Sequence, residues 1–168
     1  MPIKKMTTFA LFCAVALVLG FLESMIPLLS VMPGGKIGLA NTVTLLVFYL
    51  YSFPEALLFG LLRSLLASVL YSGFAAFVYS ATGTLLSLLV MWIVKTCFKT
   101  RVTAVGVSVA GAAFFNVGQL SVAAMVLENA QIFRYFPAMG VISAFAGLLT
   151  GYVVRTMMMY MNRKNCKL

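Results

Sequence analysis

Apolar runs long enough to cross a lipid bilayer recur from one end of the chain to the other, and only short polar stretches separate them. A hydrocarbon core about 30 Å thick takes roughly 20 apolar residues as a helix. Of the 168 residues, 63% are hydrophobic and 9% charged, whereas roughly a quarter are charged in an ordinary soluble domain. The runs leave no room for a separate soluble domain. The sequence therefore predicts one all-α, polytopic membrane domain over residues 1–168. A net charge of +9 would suggest nucleic acid as the partner of a soluble protein. Here the lysines and arginines gather at the ends of apolar runs, where they set orientation in the membrane, and no nucleic-acid role follows.

Lys4 and Lys5 precede the first run, as in a signal peptide. That run continues to about Leu22 or beyond with no clear cleavage site, so it reads as a retained helix. Six transmembrane helices are predicted: Met6–Leu29, Ile37–Phe53, Glu55–Tyr71, Phe74–Val94, Val102–Leu127 and Tyr135–Met161. Pro54 suits the start of the third, and Ser72-Gly73 breaks the chain after it. The second and third, about 17 residues each, barely cross the core at about 1.5 Å per residue. Lys95–Arg101 reads as a basic loop and Glu128–Arg134 as a polar one. With an even number of helices both termini share a side. That side collects Lys4, Lys5, Lys95, Lys99, Arg101, Arg163, Lys164 and Lys167, while Lys36 and Arg134 lie opposite. Both termini are thus expected in the cytoplasm, with the protein in the cell membrane. Trp92 suits the inner interface, and Tyr71, Tyr135 and Phe136 the outer one.

Polar residues at membrane depth cost free energy unless partnered. Arg63 falls close to the midplane of the third helix, at about 2.5–3.5 kcal/mol on insertion scales. Glu23 is one candidate counter-ion and a bound anion is another. The loop Met32-Pro33-Gly34-Gly35-Lys36-Ile37-Gly38-Leu39-Ala40-Asn41 offers flexible glycines, bare backbone N–H groups and a cation. It suits an anionic or carbonyl-bearing ligand, or else it is a tight turn whose lysine is only solvated. Asn116 and Gln119, three apart, share a helix face. By residue count Glu23, Lys36, Asn41, Asn116 and Gln119 map to the outer half, with Arg63 beneath them, and Gly34 and Gly35 join them as candidate binding residues of the loop. These residues form either a ligand site or a structural hydrogen-bond network between helices. Small residues four apart mark helix contacts: Ala10 with Ala14, Ala16 with Gly20, Gly60 with Ser64 and Ser68, and Gly147 with Gly151. Cys13, Cys97 and Cys166 form neither a disulfide framework nor a metal pattern, and histidine and aspartate are absent.

The strings Glu23-Ser24-Met25-Ile26-Pro27, Pro33 to Asn41, Glu55-Ala56-Leu57 with Leu62-Arg63, and Asn116-Val117-Gly118-Gln119 resemble the family called heptaprenyl diphosphate synthase component I, also called the Gx transporter family. The resemblance covers nearly the whole chain. One departure is Phe115, where a histidine is expected before Asn116. In size and helix number the chain is also similar to the substrate-binding subunits of energy-coupling factor transporters. That similarity implies an outward-facing pocket for a small molecule. It also implies an alanine-xxx-alanine face on the first helix that docks a transmembrane coupling subunit with its ATPases, a role that falls to Ala10 and Ala14.

The family's two names imply different functions. A prenyl diphosphate synthase needs magnesium held by clustered aspartates, and this chain has no aspartate, no histidine base and three scattered glutamates. It also has no P-loop pattern. The reading from the residues is a substrate-binding membrane subunit, not an enzyme, with no cofactor or metal. The cationic loop and Arg63 favour a small anionic substrate, and the family's name implies an isoprenoid or quinone precursor. The alternatives are a non-catalytic accessory component of a polyprenyl diphosphate synthase and a stand-alone carrier or scaffold.

Overall fold

A computed structural model describes residues 3–25, 38–98 and 101–165, and all of the chain described is helical or short connection. The helices are α1 (Ile3–Ser24), α2 (Leu39–Leu50), α3 (Phe53–Ala67), α4 (Gly73–Phe98), α5 (Ala104–Val126) and α6 (Phe136–Asn165). A π-helical turn, Ser68–Ser72, joins α3 to α4, and a 3-10 segment, Ala130–Tyr135, precedes α6. Four stretches are long and apolar enough to cross a membrane: Lys5–Ser24, Phe53–Phe98, Ala104–Val126 and Phe136–Met161. Helix α2, with 12 residues, is about 18 Å long at ~1.5 Å per residue, which is short of a ~30 Å core.

Several expected boundaries are corrected. Helix α2 begins at Leu39, not Ile37, because Gly38 is left-handed (φ 82°), and it ends at Leu50 because Tyr51 is extended. Helix α1 stops at Ser24; the expected extension to Leu29 lies outside the described residues. The break expected at Ser72-Gly73 is present: a π turn ends at Ser72, and Gly73 leaves the helical conformation at φ 77°. The stretch read as a basic loop is helical as far as Phe98. The stretch read as a polar loop becomes a 3-10 segment, started by Asn129, whose side-chain oxygen accepts from Gln131 N–H at 2.9 Å. Ser52 and Glu55 open α3 as a capping pair, the carboxylate accepting from Ser52 N–H at 3.0 Å.

Each helix packs antiparallel to the next. Glu23 meets Gly38 while Phe9 meets Tyr51. Asn41 meets Arg63 while Thr44 lies against Gly60. The Phe53–Phe98 run folds back on itself, with Ser64 beside Ser80 and Gly60 beside Thr84 and Leu88. The reversal centres on Gly73, whose φ of 77° is open to glycine at little cost. Gly118 meets Gly83, and Gly147 and Gly151 meet Val109 and Val105. The pairing of Gly147 and Gly151 fulfils the small-residue expectation for the last helix. These registers put both ends of the described chain at one end of the bundle. There Lys5 pairs with Glu55, Phe53 stacks near Trp92, and Lys95 lies over the Tyr49 ring. Tyr71, expected at the outer interface, sits at the opposite end, with its hydroxyl turned against Gly20 of α1. One apolar core draws on all six helices, including Phe9, Leu45, Phe59, Leu88, Val107 and Val154.

Candidate functional site

The end of the bundle opposite the termini holds Glu23, Asn41 and Arg63. Glu23, in the last turn of α1, is 5% exposed. Its carboxylate accepts from Gly38 N–H at 2.6 Å and Leu39 N–H at 3.2 Å. A carboxylate at the C-terminus of its own helix opposes that helix's dipole, and at the N-terminus of α2 it is favoured. One turn into α2, Asn41 Oδ1 accepts from Arg63 Nη2 at 3.2 Å. Arg63 is 7% exposed, and its Nε has no hydrogen-bond partner among the described residues. The expected ion pair between Glu23 and Arg63 does not form. Among the described residues the ion pair is Lys5 with Glu55, and Glu23 is taken by the α2 backbone instead. Arg63 is also not a floor beneath the other groups, since its bond to Asn41 puts it at their depth.

Below this layer runs a narrow slot between α2 on one side and α4, α5 and α6 on the other. Gly38, Asn41 and Leu45 form the α2 wall, Ser87 and Met91 come from α4, Ser108, Phe115 and Asn116 from α5, and Ser143, Gly147 and Thr150 from α6. Its cavity volume is about 30 Å³. One water needs about 10–15 Å³ by this measure, so the slot has room for one or two. Asn116 Nδ2 donates to Met139 C=O at 3.1 Å, and Ser108 and Thr150 hydroxyls lie 2.7 Å apart. Gln119, one turn along α5, is buried, and its Oε1 lacks a partner among the described residues, as does Thr84 Oγ1. A separate open depression of about 690 Å³ lies between Leu127 and Arg134 and shares no residue with the slot.

The structure thus brings Asn41 and Asn116 to one cavity, with Arg63 bonded to its rim and Glu23 bonded to Gly38 at its mouth. Gln119 is buried nearby but does not line it. Gly34, Gly35 and Lys36 lie outside the described residues. Ser87, Ser108, Ser143 and Thr150 were missed from the sequence. Their signal was present as helical spacing: Ser143, Gly147 and Thr150 share one face of α6, and Ser108, Phe115 and Asn116 share one of α5. On α1, Ala10 and Ala14 are exposed, whereas Ala16 is buried and Gly20 backs onto Tyr71. The two small-residue pairs therefore serve opposite faces.

In chemical terms the site offers one guanidinium, two backbone N–H groups, amides and hydroxyls. It can bind and orient. Among the described residues no three histidine, cysteine or acidic side chains gather as a metal cluster. A family model described as heptaprenyl diphosphate synthase component I matches residues 12–157. Neither a curated protein nor a solved structure matches the chain.

Proposed function

The chain belongs to the heptaprenyl diphosphate synthase component I family, and on that premise we propose that it is a substrate-binding membrane subunit of an energy-coupling-factor-type transporter, not an enzyme. The observation that carries this reading is the polar slot with Arg63 at its rim, built into an otherwise apolar bundle. Burying an arginine and a layer of amides and hydroxyls is costly in a membrane helix bundle and points to a binding role. Asn41, Arg63 and Asn116 contact the ligand, Gln119 and Glu23 flank it, and Gly34, Gly35 and Lys36, outside the described residues, complete the proposed set. Ligand pockets usually measure about 300–1,000 Å³, so this reading requires the slot, at about 30 Å³, to widen on binding. Loading moves α2, the short wall, away from α5 and α6. The ligand is a small molecule, anionic or like an isoprenoid or quinone precursor.

The exposed Ala10–Ala14 face of α1 docks the coupling subunit, which works with ATPase subunits. Co-expressed with such a module, the chain is expected to co-purify with it and to carry a small molecule visible by native mass spectrometry. Leucine at both Ala10 and Ala14 blocks close helix approach. That variant is expected to lose the module and keep the small molecule. A well-folded variant that keeps the module would remove the docking role.

Six membrane spans with both termini in the cytoplasm complete the proposal, supported by the antiparallel pairing and by the basic residues at the terminal end. Cys97, exposed near the end of α4, provides the check. With Cys13 and Cys166 replaced by alanine, Cys97 is expected to react with a membrane-impermeant maleimide only in permeabilised cells. Labelling of intact cells would contradict this orientation.

A second reading follows from the family's description: a non-catalytic membrane component of a polyprenyl diphosphate synthase. Co-purification with a catalytic prenyl synthase subunit, in place of a coupling subunit, would select it.

A further inference from the structure

We propose that the inner half of the slot is a hydrogen-bond acceptor site, and that the ligand enters it with an O–H or N–H group leading. This narrows the ligand class of the site proposed above and rests on that reading.

The protons on the lining side chains are already committed. A serine or threonine hydroxyl has one proton to give and two lone pairs to offer. Ser143 gives its proton to Gly140 C=O at 3.0 Å. Thr150 gives its own to Gly147 C=O at 3.2 Å, and its hydroxyl also lies 2.7 Å from that of Ser108. Both bonds stand together only if Ser108 is the donor of the second. Three hydroxyls on the α5–α6 wall have therefore spent their protons and keep only lone pairs. Ser87, across the slot on α4, has no bond among the described residues and can serve in either sense.

The amides nearer the mouth are fixed just as firmly. Arg63 can only donate, so it meets the Asn41 oxygen at 3.2 Å and leaves the Asn41 NH2 as a donor. Met139 C=O can only accept, so Asn116 meets it with Nδ2 at 3.1 Å and keeps its oxygen as an acceptor. Neither amide can flip without losing its partner. The slot thus offers a donor at its mouth and acceptors further in.

An acceptor that faces another acceptor strands both, and a stranded buried group costs more than a made hydrogen bond is worth. A carbonyl or an anion is rejected at the inner end, and an O–H or N–H is taken up. Water also donates, and about 30 Å³ holds one or two molecules, so water keeps the place until the ligand widens the slot. The ligand is oriented end to end, with its acceptor atoms near the Asn41 NH2 and its donor beside Ser108 and Ser143.

A pair of isosteric rings tests this on the purified full chain in detergent. Pyrrole donates through its N–H and has no lone pair to offer, whereas furan can only accept. Met91 lines the slot, and its methyl lies against Gly111. Met91→Ala makes room for a five-membered ring and is expected to lower the thermal midpoint by several degrees. Pyrrole is expected to raise that midpoint saturably, with an apparent affinity about threefold to tenfold tighter than that of furan, the worth of a neutral hydrogen bond. Wild type, whose slot of about 30 Å³ is too small for either ring, is expected to move much less. Adding Ser108→Ala or Ser143→Ala removes an acceptor and is expected to narrow the preference. If Met91→Ala yields no folded protein, Met91→Val serves, with weaker responses expected. Furan acting as well as pyrrole, no response to either ring, equal responses in wild type and variant, or a preference unmoved by both serine substitutions overturns the proposal. The assay uses neither the natural ligand nor a coupling subunit. Its failure removes the acceptor site, whereas failure to find a transport partner removes the transporter reading and leaves the acceptor site standing.

Discussion

Leucine in place of Gly147 is expected to force α5 and α6 apart and to leave little folded protein. A Cβ at Gly147 would lie 2.7 Å from the Cα of Val109, and one at Gly151 would lie 2.6 Å from the Cα of Val105. Both neighbours are backbone, so no side-chain rotation relieves the clash. Between the two glycines in sequence, Thr150 reaches Ser108 at 2.7 Å, and any separation of the helices breaks that bond. Overpacking ordinarily costs about 1–3 kcal/mol, and a backbone clash belongs at or above the top of that range. The control is Gly140→Leu on the same helix, where an added Cβ meets nothing within 4 Å. It is expected to stay within about 0.5 kcal/mol of wild type. Thermal or detergent unfolding of both variants decides the matter; equal stability would mean that the α5–α6 seam carries no such constraint.

Asn41→Leu is expected to destabilise the protein by about 3 kcal/mol, and a second substitution, Arg63→Met, to recover much of the loss. Asn41 Oδ1 is the hydrogen-bond partner of the Arg63 guanidinium among the described residues. Leucine leaves a buried charge without it, and leaving a buried donor unsatisfied costs about 1–3 kcal/mol, more for a charged group. Methionine at position 63 removes the charge and fills similar space. The pair should therefore show a coupling of about 1–3 kcal/mol in a double-mutant cycle. A double variant as unstable as Asn41→Leu alone would show that Arg63 has another anchor.

The positions of the helices were legible because apolar runs and basic punctuation are statements about a bilayer, not about any one fold. The reversal between α3 and α4 was legible only as a break. That the third helix closes in a π turn before it depends on how Ser68 to Gly73 settle between two packed helices, and periodicity does not record this. Charge complementarity suggested Glu23 for Arg63, but it ignores the backbone. The N-terminus of α2 competes for the same carboxylate, and it wins. The hydroxyls of the slot were hidden by a general habit of serine and threonine in helices. Thr44, Ser64 and Ser121 each bond a carbonyl four residues back in their own helix. A hydroxyl so satisfied needs no other partner, and its presence in the sequence does not mark a cavity. Asn41 and Arg63 stood out because neither side chain is easily satisfied by its own helix.

The bond between Asn41 and Arg63 spans only 22 residues of sequence, and it also bears on how the protein is made. Synthesis runs from the N-terminus, so α1 and α2 leave the ribosome before Arg63 does. Glu23 can already be holding the start of α2 when α3 arrives. The arginine then meets its acceptor as soon as its own helix enters the bilayer, when the unshielded cost would be about 2.5–3.5 kcal/mol. No residue of α4, α5 or α6 is needed for this step. The N-terminal half can wait in the membrane as a hairpin-and-a-half with its arginine already hydrogen-bonded, and the glycine seams of the later helices close against it afterwards.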